Sequence, residues 1–447
     1  MIRRLIVTSA LVLAAASALL FASGCASKPE KPVPVPVIAP KPIVVKPVPA
    51  PDNLRSVMLG IDVLEAEGFK AIAGKRIGLL THRAGVNRRG ESTIDVLRRA
   101  PQSKLVVLFA PEHGLDGEIK ASTNYDDSRH LPTGLPIHSL YGKTKKPTPA
   151  MLKGLDAVVI DLQDIGVRSY TFISWMRYTM EACFENRVEV IVLDRPNPLG
   201  GLKVDGPPLD AEMSDVGAFR VPYLHGLTMG ELATMAKQSP RVLDVSEKVR
   251  TNARLTVVPM RGWSRAMRWP ETGLKWVPPS PNISSYEAAI GYAMVGLGCQ
   301  NSGWSWGIGQ DYPFRGIGYP KKKPEEIIAA MEAYNIPGLR FMKREGRDRE
   351  GKPVPGVYVE VTDWGKWNPT ELSFYMHKQA EKWEKRKIFA HLTATEKRTF
   401  LIHVGSPAWY AALKRDGMRV DVAAYVNDWA KRAALFKQQS QKYWLYQ

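Results

Sequence analysis

The segment DAVVIDLQDIGVRSYTF, residues 156–172, decides how the chain folds. Asp156–Leu162 is almost unbroken aliphatic sequence, as in a strand covered on both faces. A polar break follows at Gln163 and Asp164, and from about Phe172 to Glu185 the pattern turns helical. KRIGLLT (75–81), KLVVLFA (104–110) and VEVIVLD (188–194) are runs of the same kind. The first of them leads into STIDVLRR (92–99), where Ser92 holds the place of a helix cap. Strands alternating with helices predict a parallel sheet with right-handed crossovers, so the fold class is α/β. From about residue 286 a second, smaller region reads as mixed α/β. It has a helix near 324–334, a strand at 356–363, and helices near 370–383 and 420–435. No repeat recurs at a fixed period.

The strands of the first region end in THRAG (81–85), PEHG (111–114), DLQDIGVRSYT (161–171) and DRPNP (194–198). In a parallel sheet these ends share one edge, and ligands bind outside the carboxyl ends of the strands. Glu112, His113, Asp161, Gln163, Asp164, Arg168, Asp194, Arg195 and Asn197 are therefore expected around one crevice. Any one of them alone would serve as a cap or turn residue. Four polar strand ends in register point to a site.

The crevice lacks the sequence of a nucleotide site. Gly85 and Gly90 do not make G-x-G-x-x-G, and there is no Walker lysine. The nucleophile elbow G-x-S-x-G is absent too. Two chemistries fit carboxylates beside histidines. A metal-dependent hydrolase would use His113, Asp161, Asp164 and His225, but no HExxH helix or closely spaced histidine pair supports it, and no metal or cofactor is expected. Acid–base hydrolysis of a glycoside needs one protonated and one ionised carboxyl across the scissile bond. Glu112 is the candidate acid, because a proline-flanked apolar strand end favours the neutral form. His113 would orient it or share its proton, and Asp161 or Asp164 would be the second group.

In VPYLHGLTMGELA (221–233), His225 precedes a helix starting near Thr228. Thr228 with Glu231 forms a capping box, which gives Glu231 a structural role. In TGLKWVPPSPNISS (272–285) the prolines forbid regular structure and present Trp276, Ser280 and Asn282. An aromatic face with hydroxyl and amide groups suits a sugar; a rigid turn without a ligand is the alternative.

The chain begins with basic Arg3-Arg4, an apolar run from Leu5 to Phe21, and small residues before Cys25. This is a signal-peptide layout over residues 1–24, and it resembles a bacterial lipoprotein signal with Cys25 as the acylated first residue. Residues 25–52 are rich in proline and lysine and read as an extended tether from membrane to enzyme. Residues 53–285 and 286–447 then form the two folded regions. The 447 residues suit two or three domains, and a hydrophobic content of 45% allows a sizeable core. The formal charge of +18 fits an anionic polymer or membrane as well as scattered solvated lysine and arginine; no nucleic-acid-binding pattern accompanies it. Beyond Cys25 only Cys183 and Cys299 remain. Their apolar or glycine-rich surroundings favour buried thiols over the one disulfide they could form.

LFAPEHG, DLQDIGVRSYTFIS, VLDRPNPLGG, VDGPPLD, VPYLHGLTMGELA, MRGWSR and TGLKWVPPSPNI, in this order from about Gly74 to Asn282, resemble the exo-β-N-acetylmuramidase family (DUF1343, glycoside hydrolase family 171). The likeness extends weakly to KYWLY (442–446). It implies a Rossmann-like domain, a smaller C-terminal domain and a cleft between them. It also implies hydrolytic removal of a non-reducing terminal N-acetylmuramic acid from peptidoglycan. Glu112 is then the expected catalytic residue, with His113, Asp161 and Asp164. Gln163, Arg168, Tyr170, Asp194, Arg195, Asn197, His225, Ser280 and Asn282 are expected substrate contacts. Arg168 and Arg195 are suited to the lactyl carboxylate. The expected location is the periplasmic face of a bacterial membrane. The rival is a peptidoglycan-binding lipoprotein of the same fold with weak or lost turnover. One segment departs from the family: LGCQNSGWSWGIGQDYPFRGIG (297–318) keeps Asn301-Ser302-Gly303, lacks the family's leading acid and arginine, and carries Trp304 and Trp306. It is either a contact that changes glycan preference or a structural loop.

Overall fold

The computed structural model describes residues 57–447, so the signal-like segment, Cys25, the proline-rich stretch and the first residues of the region expected from 53 lie outside the described residues. Helix α1 (Gly60–Ala66) leads to strand β1 (Arg76–Thr81), helix α2 (Thr93–Arg98) and strand β2 (Lys104–Ala110). Then come β3 (Ser128–Arg129), β4 (Pro136–Ser139), α3 (Pro149–Leu152), β5 (Ala157–Asp161), α4 (Phe172–Glu185) and β6 (Glu189–Leu193). A hairpin-like pair β7 (Asp205–Pro208) and β8 (Pro222–Leu224) precedes α5 (Met229–Gln238), α6 (Glu247–Asn252) and β9 (Leu255–Val258).

The main sheet has the order β3-β4-β2-β1-β5-β6-β9, parallel except for the β3–β4 pair. Each central strand divides its side chains between two cores. In β5, Val158 and Ile160 face the core that holds α4 and α5, while Ala157 and Val159 face the one that holds α1 and α2. This period-two division is why the strands read as continuously apolar. β1 runs on through α2 to β2 on one side, and β5 through α4 to β6 on the other. The topological switch point therefore lies between β1 and β5, where Thr81 is in register with Asp161.

The C-terminal region starts with α7 (Tyr286–Val295) and continues through β10 (Gly316–Ile317), α8 (Pro324–Glu332), β11 (Leu339–Arg347), β12 (Pro353–Val361), α9 (Glu371–Trp383), α10 (Ala394–Val404), α11 (Pro407–Asp416) and α12 (Val422–Ser440). Its antiparallel sheet has the order β10-β12-β11. Its core is continuous with the α4–α5 side of the main sheet, through residues such as Met294, Phe374 and Trp409. The expected helices and the 356–363 strand are present. The strands not anticipated are short, at an edge or polar: β3 is two residues, β4 contains Pro136 and His138, and β9 is mostly half-buried. Cys183 and Cys299 are free thiols.

Candidate active site

Strand β2 stops at Ala110 because Pro111 has no N–H to continue the ladder. The next turn places His113 at φ +73°, unusual for a residue with a side chain, followed by Gly114 at φ +75°. The His113 Nδ1 is 2.8 Å from the Ile119 carbonyl oxygen, which folds the 113–119 loop back on itself. This loop aims Glu112 inward, where it is only 7% exposed. Its Oε1 accepts from the Ser122 N–H at 3.1 Å and its Oε2 from the Thr171 hydroxyl at 2.9 Å. Thr171 stands at the start of α4 but makes no side-chain cap; its hydroxyl goes to Glu112 instead.

Aromatic hydroxyls surround that carboxyl. Burial pushes the Tyr170 phenol well up, and the charges of Asp164 and Glu112 push the same way. Tyr292 shows the same response, to burial first and then to both carboxylates. Burial also raises Tyr141, with Glu112 the next cause.

Asp164 and Asp161 have separate fates. Asp161 is fully buried, and the Arg195 guanidinium grips both of its oxygens at 2.5 and 2.8 Å, with Thr93 as a further donor. Asp164 Oδ2 accepts from the Gly166 N–H at 2.7 Å and lies 3.6 Å from His225 Nε2. Leu227 N–H donates to His225 Nδ1 at 3.1 Å, so the neutral ring carries its proton on Nε2, facing Asp164. Asp164 Oδ1, His225 Nε2 and Gln163 Oε1 are buried without hydrogen-bond partners. Such atoms are costly in a finished core and common where a ligand completes the bonding.

Several expected contacts are struts. Arg168 is fully buried, and its terminal nitrogens donate to the carbonyls of Pro207, Val221, His403 and Val404 at 2.7–3.1 Å. A side chain on Gly405, at φ +81°, would strike that guanidinium. Arg168 joins the two regions, which corrects its expected role as a clamp on the lactyl carboxylate. Arg195 gives Nε and Nη2 to Asp161 and Nη2 also to the Val86 carbonyl, which leaves only its Nη1 without a protein partner among the described residues. Asp194 accepts from Gly230 N–H, Thr228 Oγ1 and Tyr446 Oη at 2.7, 2.7 and 2.5 Å; burial raises it to about 6 despite these donors. Asn197 bridges Leu227 O and Leu199 N–H, holding the turn after β6. Glu231 completes the capping box of α5 and pairs with buried Arg265 at 2.7 Å.

The remaining candidates fall in three places. Gln163 and Arg195 line a cavity of about 450 Å³ together with Asn87, Arg88 and Trp269. Ser280 is buried and faces the Tyr170 phenol. Asn282 is exposed on the wall of an outer cleft of about 730 Å³, which also includes Lys120, Trp306 and Arg349. Trp304 is buried against Tyr319 and Trp383 and donates to the Met376 carbonyl, so this part of the departing segment is structural. Among the described residues no group of three or more His, Cys, Asp or Glu side chains is placed to hold a metal ion.

His82 was not among the expected residues, although THRAG ends a strand as PEHG does. Gln163 N–H donates to its Nε2 at 3.0 Å, which ties the ends of β1 and β5 together. Burial and then the Arg195 charge lower His82 to about 3, so it is a neutral ring. Thr171, Tyr141 and Tyr292 were missed because their residue types are common in cores.

Comparison with known proteins agrees with this architecture. Residues 77–287 match the N-terminal model of exo-β-N-acetylmuramidase NamZ and residues 290–446 its C-terminal model. Over 316 residues the chain is 40% identical to the peptidoglycan β-N-acetylmuramidase NamZ of Bacillus subtilis (strain 168), covering 70% of this chain and 74% of that protein. Two crystal structures of DUF1343 family proteins from Bacteroides fragilis NCTC 9343 are similar. One has a TM-score of 0.79 at 36% identity, covering 88% of this chain and all of its own. The other has a TM-score of 0.65 at 26% identity, covering 88% and 99%. The chain belongs to the exo-β-N-acetylmuramidase NamZ family.

Proposed function

We propose that this protein is an exo-acting glycoside hydrolase that removes N-acetylmuramic acid from the non-reducing ends of peptidoglycan fragments, with Glu112 as the acid–base residue. The observation that carries the assignment of roles is geometric: Glu112 is buried and held by the Ser122 N–H and the Thr171 hydroxyl, while Asp164 Oδ1, His225 Nε2 and Gln163 Oε1 are buried without a protein partner. Glu112 can deliver a proton without losing its setting. Each of its oxygens accepts one hydrogen bond, which leaves a second lone-pair direction for a proton shared with a departing sugar oxygen. Asp164, with the His225 Nε2 proton beside it, is the group left to assist the anomeric side, because Asp161 is held by Arg195. His113 positions the Glu112 loop through Ile119. Gln163, Tyr170 and Ser280, with Asn282 in the outer cleft, are the residues assigned to sugar hydroxyl and acetamido groups.

The chain is also assigned to the cell envelope, acylated at Cys25 and facing the periplasm. The basic, apolar and small-residue order before Cys25 and the proline-rich stretch after it support this.

The activity is tested on isolated muropeptides with reducing and non-reducing ends identified. Release of free N-acetylmuramic acid by the wild type, and its loss in Glu112→Gln, supports the assignment. Binding without release by the wild type would assign the chain to the peptidoglycan-binding alternative. Release that stops on chelation and returns with one metal ion would replace the acid–base mechanism.

A further inference from the structure

The outer cleft lies next to the Glu112 site but contains none of its carboxyls. Both of its walls continue inward. Lys120 and Ala121 directly precede Ser122, whose N–H donates to Glu112. Pro281 and Asn282 directly follow Ser280, which faces Tyr170. Two chain segments, 120–122 and 280–282, therefore join the inner polar cluster to this cleft.

Its lining differs in character from the inner site. Trp306 is 40% exposed, a rare state for so large an apolar ring, and it lies flat against Phe314 with centroids 4.6 Å apart and planes at 19°. The stacking fixes the indole as a platform with one face open. Lys120 and Arg349 are exposed on the same lining, which contains no aspartate or glutamate. Gly307, Gly309 and Gly318 leave backbone accessible along it. A volume of about 730 Å³ exceeds what a single sugar ring requires and falls within the range of ligand sites.

We infer that this cleft is the leaving-side subsite, which holds the N-acetylglucosaminyl ring on Trp306 and the carboxylate of the following muramic acid or its peptide stem between Lys120 and Arg349. The inference rests on the muramidase reading above. The terminal sugar to be removed occupies the buried inner cluster, and the rest of the glycan leaves through the cleft. An apolar sugar face on an indole and a carboxylate near two cations that form no ion pair among the described residues are complementary to the two parts of that fragment. The departing segment 297–318 then sets the preference for the leaving group rather than the chemistry.

Two measurements test this. The first compares kcat/KM for the natural disaccharide, N-acetylmuramyl-N-acetylglucosamine, with that for an aryl N-acetylmuramide lacking the second sugar. Trp306→Ala is expected to reduce the wild-type preference for the disaccharide about tenfold. An unchanged ratio would overturn the subsite. The second titrates the leaving fragment, N-acetylglucosaminyl-N-acetylmuramic acid, into Glu112→Gln protein by calorimetry, with di-N-acetylglucosamine as the neutral control. The acidic fragment is expected to bind about tenfold more tightly than the control, and the advantage to vanish when Lys120→Ala and Arg349→Ala are added. Equal binding of the two fragments would overturn the charge assignment. If no substrate is turned over by the wild type, the muramidase reading fails while the titration still decides the subsite.

Discussion

The Thr171 hydroxyl donates to Glu112 Oε2 at 2.9 Å, joining the end of β2 to the start of α4 across 59 residues of sequence. A helix start would ordinarily use this hydroxyl as its own cap. Here the helix forgoes it, and the carboxyl gains a fixed direction. Thr171→Val keeps the shape and removes the donor. The expected result is a fall in kcat of about tenfold with KM little changed, since losing one positioning hydrogen bond costs about 1.4 kcal/mol. Steady-state kinetics on the aryl glycoside checks it. A change confined to KM would mean that Thr171 contacts the sugar rather than positioning Glu112.

Arg168 separates a strut from a clamp. Arg168→Met leaves the carbonyls of Pro207, Val221, His403 and Val404 without their donor. The variant is expected to lose about 3 kcal/mol or more of stability, seen as a large drop in denaturation midpoint. The folded fraction should keep its KM for glycans with and without a free lactyl carboxylate. A stable variant with a KM raised only for the carboxylate form would restore the clamp.

The dependence of stability on pH has opposing contributions. Burial lowers His82 and His377 to about 3, whereas an unfolded histidine takes a proton near 6.5. Their contribution is complete above pH 6.5 and is lost as pH falls toward 3. Burial raises Asp194 from 3.8 to about 6, so its contribution has the opposite sign: present at low pH and lost as pH rises through 6. Asp194→Asn removes the opposing contribution. Melting temperature measured from pH 7 to 4 should therefore fall more steeply in the variant than in the wild type. An equal or shallower fall would show that Asp194 is ionised throughout.

The C-terminal residues brace the end of β6 and the start of α5. Tyr446 Oη donates to Asp194, Leu445 N–H to Glu231, and the Trp444 ring lies 3.8 Å from the Arg265 guanidinium carbon. Deleting residues 442–447 should lower stability and activity together. Tyr446→Phe alone should cost about 1–3 kcal/mol, because it leaves a buried carboxylate short of a donor. Full stability in the deletion would contradict this role.

The four central strands, their parallel arrangement and the edge that carries the site were visible in the sequence because each strand is an apolar run followed by polar residues. The Thr228–Glu231 cap was visible for the same reason, as a local pattern with a local cause. What could not be seen were partners distant in sequence. Asp161 and Asp164 look equivalent in D-L-Q-D, yet only Asp161 meets an arginine. Arg168 looks like a ligand fork until the carbonyls of residues 403 and 404, more than two hundred positions away, are placed around it. KYWLY drew attention only by likeness, and its physical role depends on Asp194 and Glu231 lying beneath it. The departing segment was open between contact and structure; its two tryptophans divide, with Trp304 inside and Trp306 outside.

The central claim is that Glu112 stands at the scissile bond. A crystal structure of Glu112→Gln with N-acetylmuramyl-N-acetylglucosamine tests it most directly. The account predicts the bridging glycosidic oxygen about 3 Å from the side-chain amide of residue 112, with the muramyl ring toward Asp164 and Tyr170. A disaccharide bound with that oxygen beyond hydrogen-bond reach of residue 112, and another carboxyl beside it, would contradict the account.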